Sequence, residues 1–176
     1  MPWLKRLPRR SASGVALLEA LIALAILGAS LLGLIYMQLR TMADTESALR
    51  QTQAMHLIDD LAERIRANPE GPNELDSYRT AWGAAPAPEA DCEARWCSPA
   101  QLARWDVARW KRNVALALPQ GDATVFDPAA PGSGGPRRML GVMVAWHSRL
   151  GENFEVAVPG ATCPASHACQ FGRVQP

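Results

Sequence analysis

Glu19 is the single ionisable side chain inside an otherwise apolar run from Val15 to Met37, and a carboxylate in that setting must find a cation or a route to water. Four cysteines stand in two close pairs, Cys92 with Cys97 and Cys163 with Cys169. Their chemistry is oxidation to disulfides or ligation of zinc as thiolates. His56, His147 and His167 lie far apart in the sequence and share no motif. No Gly-x-Ser-x-Gly elbow occurs, and Gly132-Ser133-Gly134-Gly135 lacks the Lys-Ser/Thr and the helix start that a phosphate-binding loop needs. No enzyme, cofactor or resident metal is expected.

The composition is that of one ordinary domain, with 48% apolar residues and 18 Lys plus Arg against 17 Asp plus Glu. Disorder, collagen and a basic nucleic-acid binder are excluded on these grounds. The cations are uneven: Lys5, Arg6, Arg9 and Arg10 fall before Gly14 with no acid among them, so the remainder is slightly acidic. Val15 to Met37 spans roughly 34 Å as a helix, enough to cross the hydrocarbon core of a bilayer. Basic residues just before it hold the N-terminus in the cytoplasm and send the rest of the chain outward. A secretory signal would have a shorter core of about 7 to 15 residues with small residues after it, whereas Ser11-Ala12-Ser13-Gly14 precedes the core here. The cysteines therefore meet oxidising conditions. Four of them allow three pairings, and spacing favours the local ones, Cys92 with Cys97 and Cys163 with Cys169, without fixing them. The rival is a zinc site of four thiolates, or of three with His167; neither pair has the Cys-x-x-Cys spacing of a zinc ribbon.

Gly28 and Gly33 sit inside the apolar run, where they either let helices approach closely or follow the general abundance of glycine in membrane helices. From Gln38 to Ala67 there is neither proline nor glycine, so the helix is predicted to run on into solvent until Asn68-Pro69 stops it. Val15 to Ala67 makes roughly 80 Å of helix. Ala48, Met55, Ile58, Ala62 and Ile65, with Leu61 beside them, recur near helical spacing and form a face that packs on an outer domain. Arg64 and Arg66 read as a solvated helix end whose cations suit the macrodipole.

In residues 68–176 the Pro/Gly/Ala-rich stretch from Glu70 to Glu89 is a loop with Tyr78 and Trp82 as bulky anchors. Ser98, Pro99 and Gln101 make a strong helix start, and a second helix is predicted over 99–118. Its buried stripe is Ala103, Val107, Trp110, Val114 and Ala117; Arg104, Lys111 and Arg112 point elsewhere, near Trp105. Strands are predicted over Ala123 to Phe126, Met139 to His147 and Asn153 to Val158, the last two as a hairpin about Gly151, followed by a C-terminal cysteine loop. The fold class is α+β: a long N-terminal helix packed on a small antiparallel sheet.

The join Ser13-Gly14-Val15-Ala16-Leu17-Leu18-Glu19 resembles the processing site of type IV prepilins. The resemblance implies a leader over 1–14, cleavage between Gly14 and Val15 by prepilin peptidase on the cytoplasmic face, and N-methylation of Val15. That family more often begins with Phe, and many of its major pilins carry proline where this chain has Tyr36. The stem end, Asp60-Leu61-Ala62-Glu63-Arg64-Ile65-Arg66-Ala67-Asn68, resembles that of PilV-type minor pilins, as do Cys97 to Leu102 and Trp110-Lys111.

What the resemblance implies is a pilin-like fold and a minor pilin held in the inner membrane by a single span, with its domain in the periplasm. Its partners would be the peptidase, other minor pilins and the major pilin, in an initiating or tip-proximal complex of the pilus, with twitching motility and adhesion downstream. Glu19 would pair with the new α-amino group of a neighbouring subunit, and its presence argues against the apical position. The alternatives are a minor pseudopilin of type II secretion, with a similar join, and a receptor or DNA-uptake pilin using the basic face around Trp105. No nucleic-acid partner is expected.

Overall fold

Good helix formers without proline or glycine between Gln38 and Ala67 let the apolar run continue unbroken, and helix α1 extends from Ser13 to Ala67. The computed structural model describes residues 13–128, 139–148 and 157–175. The leader before Ser13, Gly132 to Gly135 and the hairpin turn at Gly151 lie outside the described residues. Two compact units are present, Met1–Glu46 and Ser47–Pro176, and α1 contributes to both.

In the second unit α1 buries Ala54, Ile58, Leu61, Ala62 and Ile65. Ala48 and Met55, expected on this face, are exposed. The stripe that packs is the one recurring through positions 54, 58, 61 and 65, whereas Met55 lies a full residue round from it. Helix α2, Pro99–Ala117, begins with a complete capping box: Ser98 Oγ accepts from the Gln101 N–H at 3.3 Å, and the Ser98 N–H donates to Gln101 Oε1 at 3.1 Å. Ala103, Val107, Trp110 and Val114 are buried as expected. Ala117 is exposed; the chain leaves the helix there, and the extended cap residue Leu118 takes the last apolar position. The loop before α2 is less featureless than its composition suggests, because a 3-10 turn over Leu75–Tyr78 inserts Leu75 and Tyr78 into the core.

The sheet has three antiparallel strands in the order β1, β2, β5. They are β1 over Asp122–Phe126, β2 over Leu140–His147 and β5 over His167–Val174, while β3, Ala157–Val158, and β4, Ala161–Thr162, form a separate two-stranded hairpin. This corrects the expected topology. The partner of β2 is not the segment ending at Val158 but β5, over the whole register from Leu140 opposite Val174 to His147 opposite His167. β2 uses its other edge for β1, so Ala157 and Val158 are left to pair with β4 across the Pro159-Gly160 turn, where Gly160 takes φ +97°. The supposed C-terminal cysteine loop is therefore half strand, with Cys169 inside β5. Gly172 in β5 is required by proximity: a Cβ there would lie 2.8 Å from Ile58 Cγ2 of α1.

β2 is buried on both faces. Leu140, Val142, Val144 and Trp146 join the core with α1 and α2, and Met143 and Ala145 meet Phe126, Cys169, Trp82 and Phe171 on the other side. Trp110 sits at the centre of the larger core, 0% exposed, and its Nε1–H donates to the Leu57 carbonyl at 2.6 Å. Trp96, at 89% exposure, touches none of this. Trp110→Ala should therefore cost about 3 to 5 kcal/mol, and Trp96→Ala should stay within about 0.5 kcal/mol, when the full chain in detergent micelles is unfolded with denaturant and followed by circular dichroism.

Candidate functional site

In the first unit α1 presents an apolar surface on every side. Val15, Leu17, Leu18, Leu21 and Ile22 are each more than half exposed, and the exposed apolar series continues to Tyr36 and Met37. Among the described residues this is the one helix long and apolar enough to cross a membrane. Gly14 and Val15 lie in its first turns, and Glu19 follows one turn after Val15. Glu19 is exposed and has no hydrogen bond or ion pair among the described residues. Gly28 and Gly33 have open space where a Cβ would stand, so no contact among the described residues explains them.

The end of α1 carries a second group of polar residues, and here the structure departs from the solvated helix end predicted for Arg64. Its guanidinium bridges two carboxylates, Asp60 Oδ2 at 2.9 Å on its own helix and Asp106 Oδ1 at 3.3 Å on α2. Burial works against the Arg64 charge, but the hydrogen bonds and charges of Asp60 and Asp106 outweigh it and hold the group cationic. Burial pushes the Asp106 carboxyl up, and the Arg64 hydrogen bond and charge partly oppose that rise. Arg66 stays at the surface beside Glu63. One turn beyond Arg64, Asn68 is 2% exposed. Its Nδ2–H₂ donates to Tyr78 Oη at 3.0 Å and to the Pro99 carbonyl at 2.9 Å, and its Oδ1 accepts from the Glu70 N–H at 3.2 Å. The residues that stop α1, start α2 and anchor the intervening loop thus meet at one side chain.

The basic face expected around Trp105 is largely neutralised. Arg104 pairs with Glu89, and Arg109 pairs with Glu93 while its guanidinium lies 5.0 Å from the Trp105 ring centre. Lys111 is only 2% exposed; it pairs with Asp122 at 3.3 Å and donates to the Ala81 carbonyl. Position 111 falls four residues after Val107 and three before Val114, so helical spacing alone would have placed it beside the buried stripe. Arg112 is exposed and has no ion pair among the described residues. An open groove of about 630 Å³ beside this face carries Glu89, Asp91 and Glu93 as well as Arg95, Arg109 and Arg112, so neither sign of charge prevails. The cysteines form two disulfides, Cys92–Cys97 and Cys163–Cys169, leaving no thiolate for zinc.

Burial first, with smaller contributions from the charges of Asp106 and Glu74, pushes the Tyr78 phenol up to about 12, against the opposing hydrogen bond from Asn68. A phenol raised in the folded state contributes stability that is complete below pH 10 and is lost as the pH rises through about 12. Tyr78→Phe should cost about 1 kcal/mol at neutral pH through the lost Asn68 partner. It should also abolish the alkaline decline between pH 10 and about 12 in denaturant midpoints measured across that window.

No curated protein and no solved structure matches the chain. Residues 36–108, somewhat under half of the sequence, match the family model described as Tt1218-like, type IV pilin Tt1218. The matched span includes the outer half of α1, the Arg64–Asn68 group, the Cys92–Cys97 loop and the first half of α2. With the apolar N-terminal helix and the α+β fold, that similarity supports a type IV pilin with a role in pilus assembly and fits a membrane-anchored pilus subunit.

Proposed function

We propose that the chain is a minor pilin of the PilV type, a non-enzymatic subunit of the initiating or tip-proximal complex of a type IV pilus. Prepilin peptidase cuts between Gly14 and Val15 and methylates Val15. The span waits in the inner membrane with the domain in the periplasm, then leaves lipid to pack against other minor pilins and the major pilin. The observation that carries this reading is Glu19, the lone ionisable side chain of the apolar run and without a cation among the described residues. A charge at that depth costs up to about 2.5 to 3.5 kcal/mol on insertion scales. The α-amino group that cleavage creates on a neighbouring subunit is a cation of the right kind to offset that cost.

The stem end ranks below Glu19 as support, because its likeness to PilV-type chains is local. Neutralisation of the Trp105 face removes the premise of a basic ligand-binding surface. Glu19→Gln should leave cleavage after Gly14 intact and reduce the protein in sheared pili to background. Mass spectrometry of the mature N-terminus in membranes and in the pilus fraction reads both effects. Normal incorporation of the variant, or a pilus-borne chain still carrying residues 1–14, would overturn the proposal.

A further inference from the structure

We propose that His147 and His167 form a binding site for one divalent transition-metal ion across the end of the β2–β5 ladder. Two of the three histidines in the chain, remote in sequence, are direct partners in the antiparallel register. Directly opposed residues of an antiparallel pair project to the same face, with Cβ atoms about 4.5 to 5.5 Å apart. The two imidazoles are in edge contact, with centroids 6.2 Å apart. Metal–nitrogen bonds of about 2.0 to 2.1 Å, plus the roughly 1 Å from ring nitrogen to centroid, put each centroid about 3 Å from a shared ion. Two such rings on one ion at the tetrahedral angle have centroids about 5 Å apart, so side-chain rotations must bring the two imidazoles about 1.3 Å closer for both to bind.

The surroundings prepare both rings. His167 lies within the loop closed by the Cys163–Cys169 disulfide, and its backbone is held by an N–H bond to the Pro164 carbonyl and by a contact of its own carbonyl with Cys163 Sγ. Its Nδ1 stands 2.9 Å from the Ala165 carbonyl. That contact selects the tautomer with the proton on Nδ1 and leaves the Nε2 lone pair free, the arrangement usual behind a metal-bound imidazole. His147 is fixed through its own N–H, which donates to the Pro119 carbonyl at 2.9 Å, and its ring nitrogens bond to no described residue. Both residues are partly exposed, so an ion can enter. No group of three or more potential ligands occurs among the described residues, so among them the ion has these two imidazoles as protein ligands. Imidazole pairs select copper, nickel and zinc over magnesium or calcium, with Cu²⁺ bound more tightly than Zn²⁺.

The test uses the untagged full chain in detergent micelles, titrated calorimetrically with CuCl₂ and with ZnCl₂ and examined with Cu²⁺ by electron paramagnetic resonance. The expected result is one ion per chain, two nitrogen couplings on Cu²⁺ and a raised thermal midpoint with either ion. His147→Gln and His167→Gln should each weaken binding at least about tenfold, with unchanged circular dichroism in the absence of metal, while His56→Gln should bind as the parent does. Absence of saturable binding would overturn the site. So would retention of parental affinity in both His147→Gln and His167→Gln, or loss of affinity confined to His56→Gln.

Discussion

Everything else in this protein depends on one continuous ladder of backbone hydrogen bonds, α1 from Ser13 to Ala67. In lipid, where water cannot satisfy an N–H or C=O, an unbroken helix is one of only two ways a chain can cross. From Val15 to Met37 α1 fits that condition with exposed apolar side chains, and the Ser30 hydroxyl returns its hydrogen bond to the Ile26 carbonyl of the same helix. The last twenty residues obey a different rule: they leave an apolar stripe through Ala54, Ile58, Leu61 and Ile65 that α2, the Leu75–Tyr78 turn and the sheet cover. Between Gln38 and Ala67 there is neither proline nor glycine to break the ladder.

Where α1 ends, the chain must bury polar groups, and it does so by giving each several partners. Arg64 offers a planar fork that reaches Asp60 and Asp106 together, which an ammonium could not do in the same geometry. Asn68 both donates and accepts, and so links Tyr78, Pro99 and Glu70 from three separate segments. No buried side-chain polar atom lacks a partner among the described residues. Networks satisfied in this way specify one arrangement of the elements, because any slip of α2 along α1 would strand a charge or an amide. Lys111 repeats the principle on the far side of α2, where its ammonium holds Asp122 of β1 and the Ala81 carbonyl of the preceding loop.

The long helix, the capping box at Ser98 and the strands β1 and β2 could be read from residue type and spacing, because each is a local pattern. β5 could not. Gly172, Gln170 and Cys169 break the alternation that marks a strand; the first two take their places from contacts remote in sequence, Ile58 for the glycine and Gln51 for the glutamine, and the cysteine from its disulfide to nearby Cys163. Arg64 and Lys111 misled for the same reason. A cation near a helix end or beside basic neighbours is most often solvated, and only the fold supplies Asp106 and Asp122 to bury it against. His147 and His167 carried no signal at all until the register paired them. Gly14, Val15 and Glu19, to which the proposed function gives processing and assembly roles, stand out through their order alone; the polar group at the stem end was visible as a motif, but its chemistry was not.

The stretch similar to type IV pilins, residues 36–108, contains neither Glu19 nor the sheet, and the three regions place different demands on residue type. An apolar helix in lipid is satisfied by almost any order of Leu, Ile, Val and Ala, so its sequence carries little beyond hydropathy. A small sheet needs alternation and a few close approaches, which many sequences supply. The stem end needs a guanidinium, a carboxylate on the facing helix, an amide at the stop position and a phenol in the loop, each at a fixed offset from a proline-started helix. Each of those bonds constrains residue type as well as hydropathy, and all four groups lie inside the matched span. The assembly role proposed for Glu19, by contrast, rests on a single carboxylate whose meaning comes from its surroundings, and a side chain of that kind is recognised by asking what would neutralise it.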